Sequence, residues 1–373
     1  MIYIARFMSG VALGTGSVVT PIYCEEIAEV RLRGALGVLY DLQINNGILF
    51  VYVVGAYVSY IWLCIACAII PAVSFLTFIW MPESPIYLAS KGKKIETEKS
   101  LLWLRGARYI TDYDLKPELE GIQKFVSQSK RESPSEEASW RDIPVHIVFR
   151  MKEIPKRLFT LSPSPTKRAV NIICWLMVFR QLSGINAVIF YTVDIFQEAG
   201  GILSPFLATI IVGIVQVVAT CISSLLVERT GRRVLLLFSS VSTAVCHLVL
   251  AVHFYLKQNG GDLSNFGWLP LLCVATFIAG FSIGFGPLPW VMMAELLPNE
   301  SKSWASGLGG SVSWILVFAE TNLFGMMIDI LGAMITFGIF GGICILGTVI
   351  IAIIVPETTG KTREEIQLEL RRT

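Results

Sequence analysis

Apolar residues gather along this chain in runs of about twenty, separated by short charged turns and by one long hydrophilic stretch. Crossing roughly 30 Å of hydrocarbon takes about 20 helical residues. Runs of that length fall at about 2–23, 36–57, 60–81, 169–193, 205–227, 234–256, 268–293, 304–327 and 331–355. They are continuous rather than alternating, and only helices and closed barrels satisfy their backbone in lipid, so helices are expected. The fold class is therefore an all-α, polytopic membrane protein with nine spans. The first run has no basic region with a cleavage site after it and leads into a charged turn and more apolar runs, so it reads as a span rather than a signal peptide.

Composition supports this reading. Of 373 residues, 54% are hydrophobic and 16% charged, with a mean hydropathy of +0.65. A soluble domain carries about a quarter charged residues. The net charge is +2 and no basic run is interleaved with aromatics, so no nucleic-acid partner is expected. The eight cysteines lie almost wholly in apolar runs; Cys64 and Cys67 have no nearby histidines to complete a zinc site, and no metal is expected. Lysine and arginine set the orientation: 27 of 30 fall in segments 25–35, 82–168, 228–233, 295–303 and 356–373. Those segments are read as cytoplasmic, which puts the N-terminus outside and the C-terminus inside.

The hydrophilic stretch, about 82–167, has helical patterning at Glu96–Arg105 and Glu118–Lys130, then Ser/Pro-rich pieces such as Ser162–Pro165. It reads as a cytoplasmic linker with short helices. Two markers recur on either side of it. Glu26 is followed seven residues on by Arg33, and a span ends in Pro82-Glu83-Ser84; Glu295 is followed seven residues on by Lys302, and a span ends in Pro356-Glu357-Thr358. Two half-units are implied, as transporters often have, with a solute site between them near the midplane. After the linker, three full spans precede the one that ends near Glu295, whereas only 25 residues, the run of one span, precede Glu26. By symmetry the first half is expected to lack three spans, roughly 100 residues, of a twelve-span whole. The expected division is 1–81, a partial N-terminal half matching spans 4–6; 82–167, the linker; 168–355, the C-terminal half; and 356–373, a cytoplasmic tail.

Seven motifs occur in order: Arg6 with Gly10, Gly14 and Gly16; Pro21 through Glu26 to Arg33-Gly34; Pro82-Glu83-Ser84-Pro85; Gln181 through Gly184 to Asn186; Glu228-Arg229-Thr230-Gly231-Arg232-Arg233; Gly286-Pro287-Leu288-Pro289-Trp290; and Pro356 through Gly360. Singly several are weak, but together they are specific. On them the chain resembles the sugar porter family of the major facilitator superfamily, most of all its arthropod facilitated trehalose transporter-like members, over nearly its whole length. The resemblance implies a major facilitator fold with nine of the usual twelve helices.

It also implies roles. Glu26, Arg33, Glu228, Arg229, Arg232, Arg233, Glu295 and Lys302, all at cytoplasmic span ends, would form an inner gate whose charges pair and separate. Polar residues inside spans are costly and face the bundle interior, which makes Gln181, Asn186, Gln216 and Trp290 candidates for solute binding. Amides both donate and accept, suiting sugar hydroxyls, and an indole stacks on a pyranose face. Phe190 and Tyr191 would be an adjoining aromatic gate and Trp314 a second stacking surface. Pro287 and Pro289, beside Gly286, remove helix donors and imply a hinge.

The chain departs from the family in several places. Asp41 stands where a neutral polar residue is common and Arg180 where a glutamine is; the two could pair or favour a charged solute, or Asp41 could snorkel to the interface. Ser313 replaces a common asparagine, Ser282 a common glutamate and Thr359 a common basic residue.

Other signals are set aside. Thr359 through Thr362 resembles the end of a phosphate loop, but Val355 occupies the first glycine position and no strand precedes it. The sequon at Asn299 lies on the side read as cytoplasmic. His247 and His253 are six residues apart on one span, a poor ligand spacing. No nucleophile, base and orienting group assemble, so no enzyme and no cofactor are expected. The expected function is facilitated diffusion of a sugar, trehalose or glucose-like, by alternating access, in the plasma membrane. The alternatives are proton-coupled sugar symport, with Asp41 the intramembrane acid of the first unit, and a truncated membrane protein that does not transport.

Overall fold

The computed structural model describes residues 1–28, 33–107, 115–132, 165–199, 203–260, 266–297 and 299–359, with 366 and 370. Among them there is no strand. Within the described residues fourteen helices follow one another: α1 (Ile2–Ile27), α2 (Arg33–Tyr57), α3 (Tyr60–Phe78), α4 (Pro85–Ser90), α5 (Lys94–Leu104), α6 (Lys116–Glu132), α7 (Pro165–Leu182), α8 (Ile185–Phe190), α9 (Thr192–Ala199), α10 (Pro205–Thr230), α11 (Arg232–Gln258), α12 (Leu269–Ile283), α13 (Leu288–Leu296) and α14 (Asn299–Ile354).

Against nine expected spans, six helices among the described residues are long and apolar enough to cross a membrane. Two expected spans, 304–327 and 331–355, run together in α14, whose backbone leaves helical geometry at Gly332 (φ 81°, ψ 162°). Two others, 169–193 and 268–293, are each interrupted near the middle or end, giving α7 with α8 and α12 with α13. The first two expected spans are the 26-residue α1 and the 25-residue α2. In α2, Asp41, Gln43, Asn45 and Asn46 dilute the apolar run.

The chain forms two compact units, one of Met1–Tyr40 with Ser59–Arg141, the other of Asp41–Val58 with Asp142–Thr373. Residues 41–58 group with the second unit. The reason is polar: Asn45 bonds Gln216 and Thr220 on α10, and the Tyr52 hydroxyl donates to the Ile189 carbonyl at 2.7 Å.

The first unit is knotted around Pro82-Glu83-Ser84-Pro85. Ser84 caps α4, its Oγ accepting from Tyr87 N at 3.3 Å with Pro85 at the first helical position, and it donates to Glu26. The Tyr23 hydroxyl donates to the Pro82 carbonyl at 2.7 Å, and Ser100 donates to the Glu83 carbonyl at 2.7 Å. Arg105 joins α5 to α6 through Glu118 and reaches the Ile27 carbonyl at 3.0 Å. The two patterned stretches of the linker are thus real helices, α5 and α6.

The second unit has an interior of close-packed side chains, with Phe277, Phe285, Phe324 and Phe337 each at most 2% exposed. On α11 the buried positions Leu236, Ser240, Thr243, His247, Leu250 and Phe254 recur at helical spacing. Small residues there let neighbours approach closely, as membrane helices require when lipid offers no hydrophobic drive. Ser240 bonds the Cys344 carbonyl at 3.1 Å and Thr348 at 2.6 Å. Outward faces are apolar, with Leu225 71%, Phe318 70% and Ile353 76% exposed, as a lipid-facing surface demands.

Candidate functional site

The break between α7 and α8 builds the first polar cluster. Gly184 takes φ 86°, ψ 9°, a left-handed turn that a side chain resists, and the Phe340 ring and His247 lie 3.3 Å from where its Cβ would be. The turn brings Gln181, at the end of α7, beside Asn186, at the start of α8. Asn186 Nδ2 donates to Gln181 Oε1 at 2.8 Å and to Glu320 Oε2 at 3.2 Å, and Ala187 N donates to Glu320 Oε1 at 2.9 Å. Gln181 Nε2 donates to Ser313 Oγ. Gln181 is 2%, Ser313 3% and Glu320 5% exposed. Buried polar groups persist only when bonded, and here each amide holds the next.

Arg180, one residue earlier, points elsewhere. Its Nε donates to the Phe285 carbonyl at 3.1 Å, and its guanidinium lies over the Trp290 ring at 5.8 Å and the Phe281 ring at 5.7 Å. The charges of Asp41, from α2, and Glu320, from α14, act on its guanidinium. The Phe285 carbonyl is free to accept because the helix stops there. Pro287 and Pro289 supply no backbone donor, α12 ends at Ile283, and α13 starts at Leu288. The helix is interrupted at Gly286, Pro287 and Pro289, with Gly286 N bonded to the Phe281 carbonyl at 2.8 Å.

A second cluster joins α10 to residue 45. Gln216 Nε2 donates to Asn45 Oδ1 at 2.7 Å and Asn45 Nδ2 to Thr220 Oγ1 at 2.7 Å. The buried Gln216 Oε1 has no partner among the described residues.

The aromatic candidates diverge. Phe190 is 68% exposed, whereas Tyr191 turns inward, its hydroxyl donating to the Thr321 carbonyl at 3.3 Å and its ring 5.0 Å from Phe324. Tyr191 also lines a cavity of about 280 Å³ with Asp194, Glu198 and Asp329. Trp314 is exposed, next to buried Ser313. His247 is fully buried, bonded to the Ser183 carbonyl at 2.8 Å, with Phe277 4.5 Å away.

Charged residues at the junction of α10 and α11 form a third cluster. Gly231, at φ 93°, lets the chain turn and leaves room for Glu357, whose Oε2 lies 2.8 Å from where a Cβ would stand. The Glu357 carboxylate then caps α11, accepting from Arg232 N at 3.0 Å and Arg233 N at 3.1 Å. Burial by itself would push this carboxyl up, but bonds from Thr359, Arg232 and Arg233 outweigh it and hold it below the usual carboxylate value. Glu295 accepts from Arg232 Nη2 at 3.2 Å and from Thr358 Oγ1 at 2.6 Å. The repeat seen in sequence is realised here: Glu26 accepts from Ser84 in the first unit as Glu295 accepts from Thr358 in the second. Arg229 is exposed, and the side chains of Arg33, Glu228 and Lys302 lie outside the described residues.

Glu320 was not singled out by sequence reasoning, although it is the lone acid of the run 304–327 and could have been found as an intramembrane carboxylate. Among the described residues no group of three or more His, Cys, Asp or Glu is placed to hold a metal.

Long apolar helices broken beside inward-turned amides and carboxylates mark a multi-pass membrane protein of the major facilitator fold. A solved structure of the proton:xylose symporter XylE, bound to 6-bromo-6-deoxy-D-glucose, superposes with a TM-score of 0.70 at 24% identity, covering 98% of this chain and 73% of that one. A partially occluded inward-open structure of XylE from E. coli gives a TM-score of 0.71 at 24% identity, covering 96% and 72%. The chain belongs to the family described as Sugar (and other) transporter, which matches residues 1–370. It is 38% identical over 370 residues to the facilitated trehalose transporter Tret1 of Drosophila pseudoobscura pseudoobscura, covering 99% of this chain and 40% of the relative. With Tret1 of Culex quinquefasciatus it shares 37% identity, covering 99% of this chain and 67% of the relative. The chain thus spans about two fifths of the Drosophila protein's length. These relatives are named as transporters, not enzymes.

Proposed function

We propose that this protein carries a sugar, trehalose or glucose-like, across the plasma membrane by facilitated diffusion through alternating access. The observation that carries the reading is the relay Ser313–Gln181–Asn186–Glu320, which fixes the orientation of two amides at a helix break. Gln216, with an unmatched acceptor, and Trp290, a stacking surface beside Arg180, complete the binding group. Asp41 adds a charge to its edge, Phe190 and Tyr191 form the adjoining gate, and Trp314 offers a second stacking face. No bond is made or broken, so no cofactor takes part. Gly286, Pro287 and Pro289 serve as the hinge. The charged cluster of Arg232, Glu295 and Glu357, with Glu26, Arg33, Glu228, Arg229, Arg233 and Lys302, is the cytoplasmic gate, placing the C-terminus inside and the N-terminus outside.

The test is uptake of radiolabelled trehalose and glucose into proteoliposomes. Saturable entry of one sugar that equilibrates without a proton gradient is the expected result; no saturable entry of either by folded protein overturns the reading. A second reading, proton symport, takes Asp41, the acid inside the apolar run of α2, as the proton carrier. It requires uptake that accumulates with an imposed proton gradient and loses that accumulation in Asp41→Asn.

A further inference from the structure

Glu320 lies in a place where its chemistry constrains its neighbours. It is 5% exposed, in the middle of an apolar helix, and both its oxygens are engaged: Oε1 accepts from Ala187 N at 2.9 Å and Oε2 from Asn186 Nδ2 at 3.2 Å. Both contacts are donations to it, one from a backbone N–H and one from an amide N–H, as a carboxylate takes. An ionised carboxylate accepts and cannot donate. Asn186 must therefore turn its Nδ2 toward Glu320, and the same Nδ2 supplies Gln181 Oε1 at 2.8 Å. Both amide hydrogens of Asn186 are then used, and its Oδ1 is the atom left without a partner among the described residues. Gln181, with Oε1 filled by Asn186 and Nε2 bonded to Ser313, is locked by the same chain of bonds.

The geometry points to Glu320 as the positioning residue that sets the hydrogen-bond polarity of the sugar site: it makes Asn186 an acceptor, so the solute must offer a hydroxyl hydrogen there. This inference rests on the sugar-carrier reading and deepens it, assigning to a residue that touches no solute the choice between donor and acceptor at one position of the sugar.

The experiment compares the full chain and its Glu320 variants in proteoliposomes, using radiolabelled glucose or trehalose in competition with monodeoxy and monofluoro glucose analogues. A fluorine can accept weakly but cannot donate. At one ring position the wild type is expected to reject the fluoro and deoxy analogues alike, by about tenfold, the cost of a buried unmatched acceptor. In Glu320→Gln the amide keeps Ala187 with its oxygen and presents N–H to Asn186, which turns over; discrimination against the fluoro analogue falls about tenfold while the deoxy analogue stays rejected. Glu320→Asp keeps an acceptor, so the wild-type ranking survives with a raised KM. The pair Glu320→Gln with Asn186→Asp restores an acceptor facing the solute, and its ranking is expected to return to that of the wild type. This pair also tests the inference if Glu320→Gln alone does not fold.

Sugar uptake with an unchanged analogue ranking in Glu320→Gln overturns the inference alone. So does an equal loss of all discrimination in Glu320→Gln and Glu320→Asp, the mark of a merely structural carboxylate. No saturable sugar uptake by the wild type overturns the sugar-carrier reading and the inference with it.

Discussion

Gln181 joins two partners that have no substitute. Gln181→Ala leaves Ser313 Oγ and one hydrogen of the Asn186 amide unmatched, at a cost of about 1–3 kcal/mol. Uptake kinetics are expected to show a KM raised at least about tenfold, since 1.4 kcal/mol corresponds to a factor of ten; an unchanged KM removes Gln181 from the site. Glu357 makes a pH-dependent prediction. Its carboxyl is held below the ordinary value of 4.5, so the stability it contributes is full above that value and is lost as pH falls through the lower, folded one. Melting temperature measured between pH 6 and about pH 3 should fall more steeply in the wild type than in Glu357→Gln. Equal slopes would mean the carboxylate does not cap α11. At this scale the sequence was informative where chemistry is unusual: amides and a tryptophan in apolar runs stood out, and Gln181 and Asn186 do meet. Glu320 escaped because no local pattern ties it to Asn186; the two are 134 residues apart, and only the turn at Gly184 brings them together.

Helices were legible from run length and their breaks from proline. The interruption at Pro287 and Pro289 could be read directly, whereas the one at Ser183-Gly184 has no proline to announce it and depends on Gly184 reaching φ 86°. The division of α2 was not legible, because Asn45 and Tyr52 bond to residues more than 130 positions away. Close approach at the α12 break gives an expected outcome for packing. A Cβ at Gly284 would stand 2.4 Å from Ser239 Cβ and 2.6 Å from the Leu235 carbonyl. Gly284→Ala must push α11 and α12 apart, costing about 1–3 kcal/mol, and a thermal melt of the purified protein should drop by several degrees. A melt equal to that of the wild type would show that α11 and α12 separate without cost. At the junction of α10 and α11, Arg232 and Glu295 are partly exposed, so their pair contributes little stability and more to selecting a conformation. Charge reversal at Arg232 alone is expected to raise thiol-reagent access to the cavity from the gate side, and reversal at Glu295 as well to lower it again. Access unchanged by either would remove the pair from the gate.

For the whole molecule, the repeat of Glu26 with Ser84 and Glu295 with Thr358 is the strongest link between sequence and architecture, since two markers found as letters prove to be the same hydrogen bond in each unit. Hydropathy located the long apolar helices but not how polar clusters divide the chain between units. The central claim is carriage of a sugar, and trans-stimulated exchange tests it most directly: proteoliposomes preloaded with unlabelled trehalose or glucose are diluted into the same sugar bearing a radiolabel. A carrier working by alternating access should take up label several-fold faster into preloaded vesicles than into empty ones, with saturation. Equal, linear entry into preloaded, empty and protein-free vesicles would contradict it.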